Sequence, residues 1–222
     1  MDVIEAILER RSIRTFMPDP VPKETLLKIL EVATRAPSSG NTQPWEIFVA
    51  TGRVMERIRQ SYLDRYEKKI QGEAEIRSIA RELLPAEMLD RVLQMRIERS
   101  EAERVEPQHP ESVRLTTDRS ARLYGTPVVI ILCMNRILTT FSVFDHGMLT
   151  QNILLAAQNF GIGSIIATAT VIHPDILRKE LGIPDDLLIV EGIALGYPDK
   201  QSPINTFRSS RRPIQEVVTF KD

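Results

Sequence analysis

The hydrophobic positions change their period several times along the chain, and each change predicts an element. Val3, Ile4, Ile7 and Leu8 repeat at helical spacing. After the proline-rich connector Met17 to Pro22, "KETLLKILEVATRA" predicts a second amphipathic helix, with Leu26, Leu27, Ile29, Leu30 and Val32 as its apolar positions. "PSSGNTQP" (Pro37 to Pro44) is loop chemistry, and "WEIFVAT" (Trp45 to Thr51) predicts a first strand. Residues 53–122 have a different texture. They hold 29 of the 59 charged residues, nearly balanced in sign, with apolar positions such as Val54, Ile58, Tyr62 and Tyr66 at helical spacing. We expect a helical insert or lid over the core, with a loop near Glu106 to Ser112.

Beyond Pro127 the chain turns apolar again. "PVVIILCM" predicts a buried strand and Phe141 to Gly161 a long core helix ended by glycine. "GSIIATATVI" predicts a strand, "HPDILRKELGIP" a short helix and "LLIVEGIALGYP" a final strand, before an irregular tail from Asp199 onward. Helices precede the first strand, whereas strands and helices alternate later. That order predicts an α+β fold, a mixed sheet flanked by helices within one domain spanning 1–222.

Composition narrows the function. With 29 basic and 30 acidic residues, the chain has no sustained basic field for nucleic acid or a membrane surface, although a local anion site remains open. Cys133 is the only cysteine, which fits a reducing, cytoplasmic setting. The N-terminus carries acidic residues where a signal peptide is positive, and the longest apolar run, Val128 to Met134, is too short to span a bilayer. No complete glycine-rich nucleotide signature and no serine-elbow motif occurs; "GIGSII" lacks the third glycine. His109, His146 and His173 have no zinc-site spacing, so no metal is expected.

Two arginine clusters stand out. "ERRSIRTF" places Arg10, Arg11 and Arg14 around Ser12, and "FRSSRRP" places Arg208, Arg211 and Arg212 in the tail. The first suits either a solvated helix end or a phosphate socket, because guanidinium forks match phosphate oxygens. Sequence alone does not show that the clusters meet. The loop donors Ser38, Ser39, Asn41 and Gln43 suit equally a helix-capping turn or contacts to a heterocycle. Trp45 and Cys133 read as packing.

"RRSIRTF", "APSSGNTQPW", "GIGS" and "LGYPD" ahead of "RRP", in that order, resemble the nitroreductase superfamily over nearly the whole chain, sparing 53–122. The resemblance implies a mainly antiparallel sheet, an FMN cofactor and a homodimer with flavin at the subunit interface. It assigns the phosphate and ribityl chain to Arg10, Arg11, Ser12 and Arg14, completed by Arg211. It assigns flavin contacts, mainly across the dimer, to Ser38, Ser39, Asn41 and Gln43. Backbone groups of Ile166, Ala167 and Thr168 would run beside the ring, with Thr168 the donor near N5. Some members carry a lysine where this chain has Ser209, so Arg208 or Arg14 would supply the second charge.

The implied activity is ping-pong transfer of electrons from NADH or NADPH through flavin to nitroaromatics, quinones or similar small aromatics. Related alternatives are reductive dehalogenation of the iodotyrosine deiodinase type and flavin-consuming oxygenation. The deiodinase pattern is weakened here, because no Glu lies four residues before Tyr62 or Tyr66. A non-enzymatic nucleotide-binding module is the reading from another class. The long helix at 141–161 is expected at the dimer interface or in the core, and the insert at the mouth of the pocket.

Overall fold

A computed structural model describes residues 2–107 and 109–221. Its elements are α1 (Val3–Glu9), α2 (Lys23–Ala33), β1 (Glu46–Thr51), α3 (Gly52–Glu67), α4 (Ala86–Glu103), α5 (Pro110–Ala121), β2 (Val128–Asn135), α6 (Thr140–Asn159), β3 (Gly163–Ile166), α7 (Pro174–Leu181) and β4 (Leu187–Gly196). The sheet runs β1-β2-β4-β3, and every strand pair is antiparallel. Its parallel component is one isolated bridge, Ser12 to Ser164.

β2 and β4 are central, and both faces of the sheet are covered. That is why β2 is a continuous apolar run instead of an alternating one, buried from Val128 to Met134. On one face Val128, Ile130, Leu132, Ile193 and Leu195 pack with Leu26 and Ile29 of α2 and with Leu149, Ile153 and Leu154 of α6. On the other face Val129, Ile131 and Cys133 pack with Met55, Ile58 and Tyr62 of α3 and Ile176 and Leu177 of α7. Cys133 is fully buried, and burial pushes its thiol up to about 12. No helix among the described residues is long and apolar enough to cross a membrane.

Three expectations need correction. The segment 53–122 is helical, but its first helix is not a lid. α3 carries Met55, Ile58 and Tyr62 into the core, so only residues beyond Glu67 can form a cover. Charge density is a poor guide here, because α3 is charged on its outer face and apolar on its inner one. The predicted strand through Ile172 stops at Ile166, and Thr168–Thr170 form a 3₁₀ turn. The loop at 106–112 ends early, since α5 begins at Pro110; Gln108 lies outside the described residues.

Candidate functional site

The segment after α1 leaves the helix at Arg10 and runs extended beside the end of the sheet. Ile13 and Phe16 are buried, and Arg14 and Thr15 between them are partly buried. The Ile13 amide donates to the Ser164 carbonyl at 2.9 Å, and Met17 donates to Tyr197 at 2.8 Å. This approach needs a glycine at 163: a Cβ there would lie 2.7 Å from Cγ1 of Ile13 and 2.7 Å from Cγ of Pro198.

The C-terminal tail is fastened onto that segment by Asn205, which is 3% exposed. Its Oδ1 accepts from the Arg14 amide at 2.7 Å, and its Nδ2 donates to the carbonyls of Thr15 (2.7 Å) and Asp199 (2.9 Å). Two residues later, Phe207 lies beneath the Arg14 guanidinium, 5.3 Å from its ring centroid, a cation–π contact. Thus the two ends of the chain are brought together by one amide and one ring.

Between them lies a cavity of about 380 Å³. It is lined by Ile7, Leu8, Arg10, Arg11, Ser12, Arg14, Phe207, Arg208, Ser209 and Arg211. Five arginines and two serines line one hollow with no acidic residue among them, and Glu9 neutralises Arg208 at its edge. Burial lowers the Arg10 pKa, and the nearby Arg211 charge lowers it further. Arg14 is pushed down to about 10, first by burial and then by Arg99 of α4, with Arg119 of α5 adding to the repulsion and Tyr124 and Glu103 opposing it. Glu103 pairs with Arg119 at 2.6 Å. An unbalanced positive set of this kind is suited to an anion.

The end of α1 is closed by an arginine of the second cluster, not of the first. Arg208 of the tail closes the end of α1, donating to the Leu8 carbonyl at 3.1 Å and pairing with Glu9 at 2.5 Å. Arg10, Ser12 and Arg14 line the hollow instead. Ser209 accepts from Nη1 of Arg211 at 2.6 Å and so orients that guanidinium. Arg212 turns away toward Glu216, at 3.3 Å.

The other nominated residues do not line this cavity. Ser38, Ser39, Asn41 and Gln43 form a surface turn against α6. The Ser39 amide donates to the buried Asp145 carboxylate at 3.3 Å, and the Gln43 amide to Oγ of Ser38 at 2.9 Å. Asn41 and Gln43 both hold positive φ, at 55° and 46°, a conformation rarely adopted by side-chain-bearing residues. Ile166 and Thr168 are exposed at the far end of β3, with Ala167 buried between them. Ser164 adjoins Ser12, so Thr168 lies four residues of chain, about 13 Å if fully extended, from the arginine cavity.

Sequence reasoning missed Asn205, Phe207 and Arg99. Arg99 sits in a charged helix among many arginines, and only the fold singles it out. Asn205 and Phe207 lie in an irregular tail where no periodicity marks burial. Among the described residues, no group of three His, Cys, Asp or Glu side chains could hold a metal ion.

Comparison with known proteins bears on this geometry. The model of the Nitroreductase family matches residues 7–197. A chloronitrobenzene nitroreductase of Comamonas testosteroni is 33% identical over 216 residues, covering 97% of this chain and 95% of that protein. A nitrobenzene nitroreductase of Ectopseudomonas oleovorans is 32% identical with the same coverage. The crystal structure of the FMN-dependent nitroreductase NfnB from Mycobacterium smegmatis, in complex with NADPH, superposes with a TM-score of 0.90. It is 26% identical and covers 99% of this chain and 97% of that one.

Proposed function

Because the chain belongs to the nitroreductase family, we propose that it is an FMN-dependent oxidoreductase passing electrons from NAD(P)H to nitroaromatic compounds. The observation that carries the reading is the single hollow in which Arg10, Arg11, Ser12 and Arg14 meet Arg208 and Arg211 from the other end of the chain. Its donors fit a phosphate dianion: several forked cations, two hydroxyls and no acidic group in the wall.

Arg10 and Arg211 hold the phosphate, and Ser12 adds a neutral donor. Ser209 fixes Arg211 for that contact. Arg14, braced on Phe207 and repelled by Arg99, supplies the further positive charge beside the cofactor. Bound there, FMN supplies the hydride chemistry that links the nicotinamide to the second substrate. The turn beginning at Thr168 would border the ring and present a backbone donor to it. No side-chain nucleophile is needed, and one cleft serving both partners in turn gives ping-pong kinetics.

The active form is a homodimer. Val3, Ile4 and Leu8 of α1 and Phe141 and Phe144 of α6 are exposed, as is Phe220 in the tail, apolar surface that a second copy would cover. A second copy covering it would bring its Ser38–Gln43 turn to the flavin of the first. The segment beyond Glu67 forms the cover of the pocket, within one domain.

The test is direct. Purified protein should show a flavin spectrum that survives desalting or returns with added FMN, and should oxidise NADPH or NADH when nitrobenzene is supplied. Colourless protein that ignores FMN and turns over neither nicotinamide overturns the reading.

A further inference from the structure

The turn carrying Thr168 is braced from behind by a helix outside the cofactor cavity. β3 ends at Ile166, and the Ala167 amide donates to the Gly192 carbonyl at 3.2 Å. The chain then leaves the sheet in a single 3₁₀ turn, Thr168–Thr170, closed by the Val171 amide on the Thr168 carbonyl at 3.0 Å. Three residues cannot fix their own position, since one isolated turn forms few bonds for the backbone freedom it removes.

Two features hold it. Oγ1 of Thr170 donates to the Ala167 carbonyl at 2.6 Å and sits over Gly192, where a Cβ would lie 2.0 Å from that oxygen. Behind the turn, Tyr62 of α3 is 2% exposed and its hydroxyl donates to the Thr170 carbonyl at 2.8 Å. The ring meets His173 edge-on, with centroids 4.9 Å apart and an interplanar angle of 84°. Burial raises the Tyr62 pKa, so the phenol remains a donor throughout the physiological range.

We propose that Tyr62 is a positioning residue, whose hydroxyl holds the Thr168–Thr170 turn at the height from which Thr168 meets the flavin. Phenylalanine would serve equally well to fill the space between α3 and the sheet, as Met55 and Ile58 do above it. The hydroxyl adds one thing, a bond to the turn. This inference rests on the assignment of that turn to the flavin ring, and its role is positional because Tyr62 itself is sealed from the site. A displacement near 1 Å at a reacting centre is enough to slow chemistry by up to about 100-fold.

The experiment uses FMN-loaded protein with Tyr62→Phe, Thr168→Pro, which removes the backbone donor at the first position of the turn, and Ile58→Val, the last loosening the same helix without touching the turn. Visible flavin spectrum, FMN dissociation constant and single-turnover reduction by NADPH are read for each. The expected result is that Tyr62→Phe alters the flavin bands and slows reduction about tenfold, while FMN affinity changes less than about twofold, because the phosphate clamp lies at the other end of β3. Ile58→Val should leave spectrum and rate unchanged. A wild-type spectrum and rate in Tyr62→Phe, while Thr168→Pro alters them, overturns the role of Tyr62 alone. Unchanged values in both variants remove the turn from the flavin and the inference with it. Equal changes in Ile58→Val and Tyr62→Phe reduce the effect to general loosening and also overturn it.

Discussion

Ser12 and Ser164 face each other across a single parallel bridge, joining the arginine-rich segment to the strand that leads to Thr168. The bridge is short, but it fixes the register of everything on either side. Arg10 and Arg11 lie before it and Arg14 after it, while β3 continues on its other side toward the exposed end at Ile166. A cofactor with an anionic tail and a flat ring is matched by this order: charge at one end, backbone donors at the other.

Removing one guanidinium from the hollow should weaken FMN binding through the phosphate alone. Arg10→Ala or Arg211→Ala each removes a charge-assisted contact of about 1.5–3 kcal/mol, so FMN affinity should fall roughly 10- to 150-fold. Riboflavin, which lacks the phosphate, should bind wild type and variants within about twofold. Flavin fluorescence titrations would check both halves. Equal losses for FMN and riboflavin would place these arginines somewhere other than on the phosphate.

Asn205 should matter more than its place in an irregular tail suggests. Asn205→Ala strips partners from the Arg14 amide and from the carbonyls of Thr15 and Asp199 at once. Unpaired buried groups cost about 1–3 kcal/mol each. The tail can shift to admit water, so we expect a net loss of about 2–4 kcal/mol in urea unfolding, with weaker FMN retention. A loss below about 0.5 kcal/mol would show that the tail is held by other contacts.

Glu75 links acidity to stability. It accepts from Arg178 at 2.7 Å, Arg136 at 2.9 Å and the Ile189 amide at 2.8 Å, holding the segment after α3 against the far end of β4. Burial alone would raise its pKa; Arg178, the Ile189 amide and Arg136 outweigh it, so the group titrates below its ordinary 4.5. A depressed folded pKa gives stability that is fully present above the unfolded value and fades as pH falls through the folded one. Glu75→Gln should therefore cost about 1–3 kcal/mol at pH 7 and progressively less below about pH 4.5. Denaturation curves at pH 7 and pH 3.5 would reveal the convergence; parallel curves would exclude it.

The exposed aromatic pair on α6 gives a test of assembly. Phe144→Glu or Ile4→Glu buries a charge in the expected contact between two copies and should convert a dimer into monomer. Sedimentation velocity would report the change. On the proposed assembly, in which the Ser38–Gln43 turn of the second copy reaches the flavin, the monomer should also lose bound FMN. A wild-type oligomeric state in both variants would place the contact elsewhere.

Much of this fold is legible from periodicity. α2, β2, α6 and β4 announce themselves through apolar patterns strong enough to survive without context. α3 is hard to place because Arg53, Glu56, Arg57 and Arg59 dominate its composition, while a narrow stripe of Met55, Ile58 and Tyr62 decides its location. The end of β3 is easily overrun because the β-branched residues of "ATATVI" favour strand, yet the small Gly192 on the neighbouring strand lets the chain fold over it. At the site, arginines around a serine are visible as a motif, and the tail cluster as its counterpart. Their meeting is not, since it depends on Asn205, one amide among unpatterned residues.

The fastening of Arg14 by Asn205 also sets a schedule for synthesis. These partners are 191 residues apart in sequence, so a ribosome must release every strand of the sheet before they can touch. Arg208 and Arg211 emerge later still. The anion pocket is therefore built last, after the sheet that supports it, and a product truncated before residue 205 would fold much of its core yet remain blind to the cofactor.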